Sequence, residues 1–295
     1  MTLPQAAQVE TAPDPAERLR QRLVHLQDLP ASLLVIREAI AASEDPKISN
    51  TRLQSILARD PGATAGVLRL ANSPYFGLGH EVSSVSMAIT IIGYLRLGIL
   101  LRHLMVSRLI ETFKTRGERM NRARELALAA GVASQLLGEA LGRSDTEQLM
   151  VAGLLHNIGD LALNSEFPEE SARLAGMCES MPRRQAELAV FGATSSMVNG
   201  WLLSAWRFPQ MLVNAAHHWE APGHPDLSPS DRKFVGTVHV GVKLAGRYLD
   251  DWRWNPDDLP VLGPLLDSLR MTKGCLEFAY EQIGPRLEKL RHSIC

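Results

Sequence analysis

From residue 33 onward, apolar side chains return at three- and four-residue steps, and nowhere do they sustain a period of two. Leu33, Ile36 and Ile40 show the spacing first, then Leu53, Ile56 and Leu57, then Val67, Leu70 and Ala71. Such a pattern gathers one stripe on a helix and would scatter over both faces of a strand. Chain breaks fall where helices should stop, at Asp45-Pro46, Asp60-Pro61-Gly62 and Asn72-Ser73-Pro74. Ser83 and Ser84 can cap a helix through Ile92, with Gly93 at its end. The chain is therefore expected to be all-α.

Composition excludes several function classes. With 295 residues, 45% hydrophobic and 21% charged, the chain can bury a core. A net charge of -1 gives no global field for nucleic acid or anionic lipid. Residues 48–73 have helix-turn-helix lengths and carry Arg52, Arg59 and Arg69, but that pattern alone is weak, and nucleic acid is not an expected partner. Cys178, Cys275 and Cys295 are odd in number and widely spaced, which suits a reducing compartment better than a disulfide framework. No basic residue precedes Arg18, so the start does not read as a signal peptide. The uncharged stretch 82–95 has only 14 residues, and Gly192, Asn199 and Gly200 interrupt 188–206, so neither reads as a membrane span. A cytoplasmic location is expected.

The first 16 residues are too polar to order themselves and read as a tail, with its boundary at residue 20. Lys114, Arg116, Arg119, Arg122 and Arg124 surround Gly117 and mark a linker. It divides an N-terminal helical subdomain, 21–115, from a second helical unit, 116–295. Helices are expected over 126–137, 147–163, 184–191, 194–204, 211–218 and 232–249. The last stretch, 259–290, should break at Gly263-Pro264 and Gly284-Pro285.

Two segments carry a family resemblance. Val151-Ala152-Gly153-Leu154-Leu155-His156-Asn157-Ile158-Gly159-Asp160 resembles the His-Asp signature of the HD phosphohydrolase superfamily. In the first half, Leu29-Pro30, Asp60-Pro61, Leu68 to Gly77, Val82-Ser83-Ser84-Val85, Ala88-Ile89 and Gly93 follow in an order that resembles the HDOD family, the HD-related output domain of bacterial signalling proteins. The resemblance spans roughly residues 21–250. It implies an N-terminal helical subdomain packed on an HD-like core, with a non-enzymatic role in bacterial signal transduction.

An active HD site needs a first histidine, the His-Asp pair and a distal aspartate around a divalent metal that polarises phosphate and activates water. Aligned on the resemblance, those positions hold Glu125, His156-Asn157 and Val242, the last after Val238-His239-Val240-Gly241. Asparagine lacks the carboxylate charge and valine donates nothing. Neither a metal nor another cofactor is expected, and hydrolysis should be lost. His217-His218-Trp219-Glu220 resembles the paired-histidine motif of HD relatives. Neighbours on a helix point about 100° apart, so the pair is poorly placed to act on one centre. The plainer readings are a hydrogen-bonded core histidine at 156, a solvated Glu125 and a helix-end pair at 217–218.

These residues, with His239, form the candidate ligand pocket. The expected function is a non-catalytic regulatory protein that binds either a small nucleotide-like ligand or a signalling protein, with a homodimer left open. Leu276, Ile283, Leu287 and Leu290 form one helical stripe, which would suit a partner if exposed and internal packing if not. The competing reading is a residual metal-dependent phosphodiesterase, for example on cyclic dinucleotides.

Overall fold

Helix caps set the boundaries of the fold. In the computed structural model, which describes residues 14–73, 81–113, 117–250 and 263–294, Asp60 accepts from the amides of Gly62 (2.9 Å) and Ala63 (3.1 Å). Pro61 fills the first helical position, where no amide is needed. Ser49, Ser84, Thr194 and Ser228 cap four other helices in the same way.

The N-terminal lobe consists of α2 (Ala31–Ser43), α3 (Asn50–Leu57), α4 (Pro61–Ala71) and α5 (Val85–Thr112). At Gly93 α5 breaks, with φ at 75°, a conformation only glycine adopts at no cost. The expected end at Ile92 is thus a kink, beyond which the chain turns helical again. By length and composition α5 could cross a membrane. Much of it is buried here against α2 and α4. The motif residues 74–77, like Lys114, Arg116 and Cys295, lie outside the described residues.

The second lobe is wound around α6 (Glu118–Ala140), which packs on α7 (Thr146–Leu155), α13 (Pro229–Leu249) and α15 (Lys273–Ile294). A Cβ on Gly153 would lie 2.5 Å from the Ala130 carbonyl oxygen, so glycine is what lets α6 and α7 touch backbone to backbone. Then come α8 (Ile158–Glu166), α9 (Pro168–Met177), α10 (Arg183–Phe191), α11 (Ser195–Ala205), α12 (Gln210–His218) and α14 (Gly263–Leu269). The described residues form no strand.

Four expectations change. Instead of one helix over 147–163 there are two, parted at His156-Asn157, and α9 was not anticipated. The tail boundary at residue 20 falls inside an ordered helix, α1 (Pro15–Arg22), which is followed by a 3-10 turn (Val24–Gln27). Both lie on the second lobe: Arg22 pairs with Glu170 at 3.0 Å, and Trp206 donates to the Leu26 carbonyl at 2.7 Å. Nor does the chain break at Gly284-Pro285, since α15 runs through Pro285. Proline removes one amide, and the carbonyl it would have met belongs to exposed Glu281, where water can replace it. The break comes earlier, at Arg270, whose φ is 55°. The stripe of Leu276, Ile283, Leu287 and Leu290 is buried within the chain, so it is core and not a partner groove.

Candidate functional site

His156 ends α7 and Asn157 begins α8, so the pair sits in a break that neighbouring helices hold open. Asn157 donates to the Ala123 carbonyl of α6 at 2.7 Å, while its buried Oδ1 has no partner. His156 is only 1% exposed. Its Nδ1 donates to the Gly153 carbonyl at 2.7 Å, which fixes the proton on that nitrogen. Burial drives its pKa down to about 4, against the opposing pull of that carbonyl and of Asp160, and the ring is neutral at pH 7.

Asn199 of α11 locks the junction. One amide hydrogen goes to the His156 carbonyl (2.5 Å) and the other to the Ala216 carbonyl (2.8 Å), while Oδ1 accepts from the Gly159 amide (2.5 Å). Fully buried and fully bonded, this side chain ties α7, α8, α11 and α12 together. Beside it, buried Glu187 accepts from the amide (3.2 Å) and hydroxyl (2.9 Å) of Ser195 and from Arg183 (2.9 Å). Arg183 continues to Asp160 at 2.5 Å, which joins α10 to α8 and α11.

The candidate residues do not converge. Trp219, just past α12, stands edge-on to His156 with ring centroids 5.1 Å apart, and its carbonyl accepts from His239 Nδ1 at 2.7 Å. Its ring lies 6.4 Å from that of His239. Burial, with Lys243 in support, also lowers the pKa of His239. Val242, 5% exposed, adds only apolar surface. His217 and His218 belong to another group, in which the His218 ring lies 4.4 Å from that of His217 and 4.6 Å from that of His224, tilted by 54° and 31°. Glu125 is partly exposed and pairs with Arg291 of α15.

This donor set does not fit a divalent metal. Asn157 spends its amide on a backbone carbonyl, Val242 has no donor, and Glu125 is turned to an arginine. Among the described residues, no three His, Cys, Asp or Glu side chains come together in a metal-holding group. The basic linker is likewise spent on structure: Arg119 donates to the Ser171 carbonyl (2.7 Å) and Arg122 to that of Leu249 (3.0 Å). Arg59 pairs with Glu38, with Arg52 at 3.9 Å from the same carboxylate. The cleft of about 200 Å³ lined by Gly66, Arg69, Leu104, Ser107 and Arg108 belongs to the N-terminal lobe and does not reach His156.

Sequence reasoning missed Asn199, Trp219 and Glu187 as architectural residues. Asn199 was visible only as a polar interruption in an uncharged stretch, and Trp219 only as the neighbour of two histidines.

Known proteins share this architecture. A solved HDOD domain protein of unknown function from Geobacter sulfurreducens matches with a TM-score of 0.70 and 20% identity, over 95% of this chain and 97% of that one. A Shewanella amazonensis SB2B protein provisionally named a phosphohydrolase matches with a TM-score of 0.69 and 22% identity, over 94% and 98%. An uncharacterised protein of Treponema pallidum (strain Nichols) is 24% identical over 256 residues, 85% of this chain and 48% of that protein. The chain thus spans about half the length of this curated relative. The HDOD domain matches residues 29–222, narrower than the 21–250 of the resemblance, and on that match the chain belongs to the HDOD domain family.

Proposed function

We propose that this HDOD protein is a non-catalytic regulatory module, which acts in signalling by binding a small nucleotide-like ligand or a partner protein. One observation carries the reading: an indole ring, and not a set of oxygen donors, lies against His156. The positions that correspond to the family's metal ligands hold Asn157, Val242 and an arginine-paired Glu125. Nothing in that set can polarise a phosphoryl oxygen or lower the pKa of a water. The protein is expected to work in the cytoplasm, with homodimerisation open to measurement.

The test is elemental analysis of the purified protein with turnover assays on a generic phosphodiester and on cyclic dinucleotides. Substoichiometric metal and background turnover are expected. Turnover that disappears in His156→Ala would establish the residual phosphodiesterase instead. A thermal-shift screen of nucleotides then separates the two binding modes, since a saturable ligand raises the melting temperature by mass action.

A further inference from the structure

We propose that the connection between α12 and α13 is a proton-operated latch. In its closed form His217, His218 and His224 crowd together in one cluster of rings (the stack) and Trp219 covers His156, and proton uptake by the imidazoles opens it. The inference rests on the binding reading, because what the latch controls is access to His156.

The geometry has two coupled halves. Three successive turns fold the connection back on itself: the amides of Ala221, His224 and Leu227 donate to the carbonyls of His218 (2.8 Å), Ala221 (3.0 Å) and His224 (3.2 Å). They bring the His224 ring beside that of His218, which is already the neighbour of His217. The same connection begins with Trp219, whose half-buried ring rests on the almost fully buried His156 and whose carbonyl is held by His239. Separating the stack therefore pulls on the residue next to it, which shields His156 from solvent.

The charges around the stack are few. His224 Nδ1 lies 3.6 Å from the Asp226 carboxylate and accepts from the Asp226 amide at 3.4 Å. Glu220 accepts from Ser196 at 3.2 Å, Arg232 donates to the Pro225 carbonyl at 3.3 Å, and Asp231 receives Ser228 (2.8 Å) and Asn214 (3.4 Å). On the α11 side Gly200 lies close against His217, and that helix carries no titratable side chain.

In the closed form the stack resists protons. Burial first, and the neighbouring imidazoles second, lower the pKa of His217 and push that of His218 down to about 4, while Asp226 works the other way on His218. Opening separates the rings and returns His218 towards its ordinary 6.5. The open form then binds a proton the closed form refuses, so acid favours opening. Between pH 7.5 and pH 5.5 His218 alone raises the open-to-closed ratio, by up to about tenfold if its ordinary pKa is fully restored.

The experiment follows 19F resonances of the full-length protein labelled with 5-fluorotryptophan. Five tryptophans report, and Trp219 is assigned by its absence in Trp219→Phe. From pH 7.5 to 5.5 the Trp219 signal should move or broaden while the others hold, and acrylamide should gain access to it. In His218→Gln the change should shrink several-fold. A Trp219 signal that ignores pH, that responds equally in His218→Gln, or that moves only together with all the others overturns the latch. No ligand enters these readouts, so a failed latch leaves the binding reading standing, and turnover with bound metal would sink the binding reading without touching the latch measurement.

Discussion

Asn199 shows how much one neutral side chain can hold. Its two donors meet two backbone carbonyls and its acceptor meets an amide, all out of reach of water. Truncation to alanine leaves three buried groups unpaired, at about 1–3 kcal/mol each. Urea unfolding of Asn199→Ala should show a loss of at least 3 kcal/mol. Asn199→Asp should be worse, since it turns a carboxylate towards two carbonyl oxygens and still lacks a donor for either. An aspartate variant more stable than the alanine variant would refute this hydrogen-bond assignment. Histidine burial sets the pH response at the same scale. His156 and His103 are both neutral in the fold, with pKa values pushed down to about 4 by burial against 6.5 when exposed. A depressed pKa means that the unfolded chain takes up protons first, so stability present at neutral pH is lost as pH falls from about 6.5 towards 4. Each should cost about 1.5 kcal/mol between pH 7.5 and 5.5. The urea midpoint should fall over that range, and less steeply in His156→Gln.

At the level of elements, local chemistry was legible and crossing chemistry was not. Asp60 and Ser84 mark helix starts through bonds within a few residues of themselves, and Gly93 marks a kink through its own φ, so their meaning can be read in order along the chain. The break at His156-Asn157 is made by Asn199 and by the Ala123 carbonyl, 43 and 34 residues from their partners in sequence, and the apolar pattern runs straight across it. Pro285 misled for the converse reason: proline costs a helix one bond, and the packing of Ile283 and Leu287 outweighs it. The burial of that stripe makes a prediction. Leu287→Ala should destabilise the fold by about 2–5 kcal/mol, as expected of a buried leucine and not of a partner-facing one. Gly153→Ala tests the α6–α7 contact, where backbone atoms of Ala130 and Gly131 cannot yield. It should lower the melting temperature by several degrees or abolish soluble expression. A neutral effect would mean that the two helices do not touch as described.

For the molecule as a whole, the all-helical build could be read from sequence, but how its helices join across the linker could not. The linker offered arginines, and the structure spends Arg119 and Arg122 on backbone carbonyls within the second lobe and Arg124 on that of Phe113, at the end of α5. Part of the joint is apolar: His103 of α5 meets Met150 of α7, with His103 Nε2 2.9 Å from the sulfur, and α15 reaches α4 as a second contact. His103 is buried and Met150 has no exposed surface, so neither pattern nor charge advertised the pair. A seam of this kind couples two cores only as long as it stays packed. Met150→Ala removes the thioether that faces His103 and leaves a void between lobes, a change that costs about 2–5 kcal/mol in a well-packed core. If the seam is what makes the lobes unfold together, the loss should not be uniform. Amide exchange should accelerate more over 31–112 or over 118–249 than over the other, and the single denaturation transition should split or lose slope. A variant that loses stability yet keeps one coincident transition at the original slope would place the coupling in α15 and α4 instead.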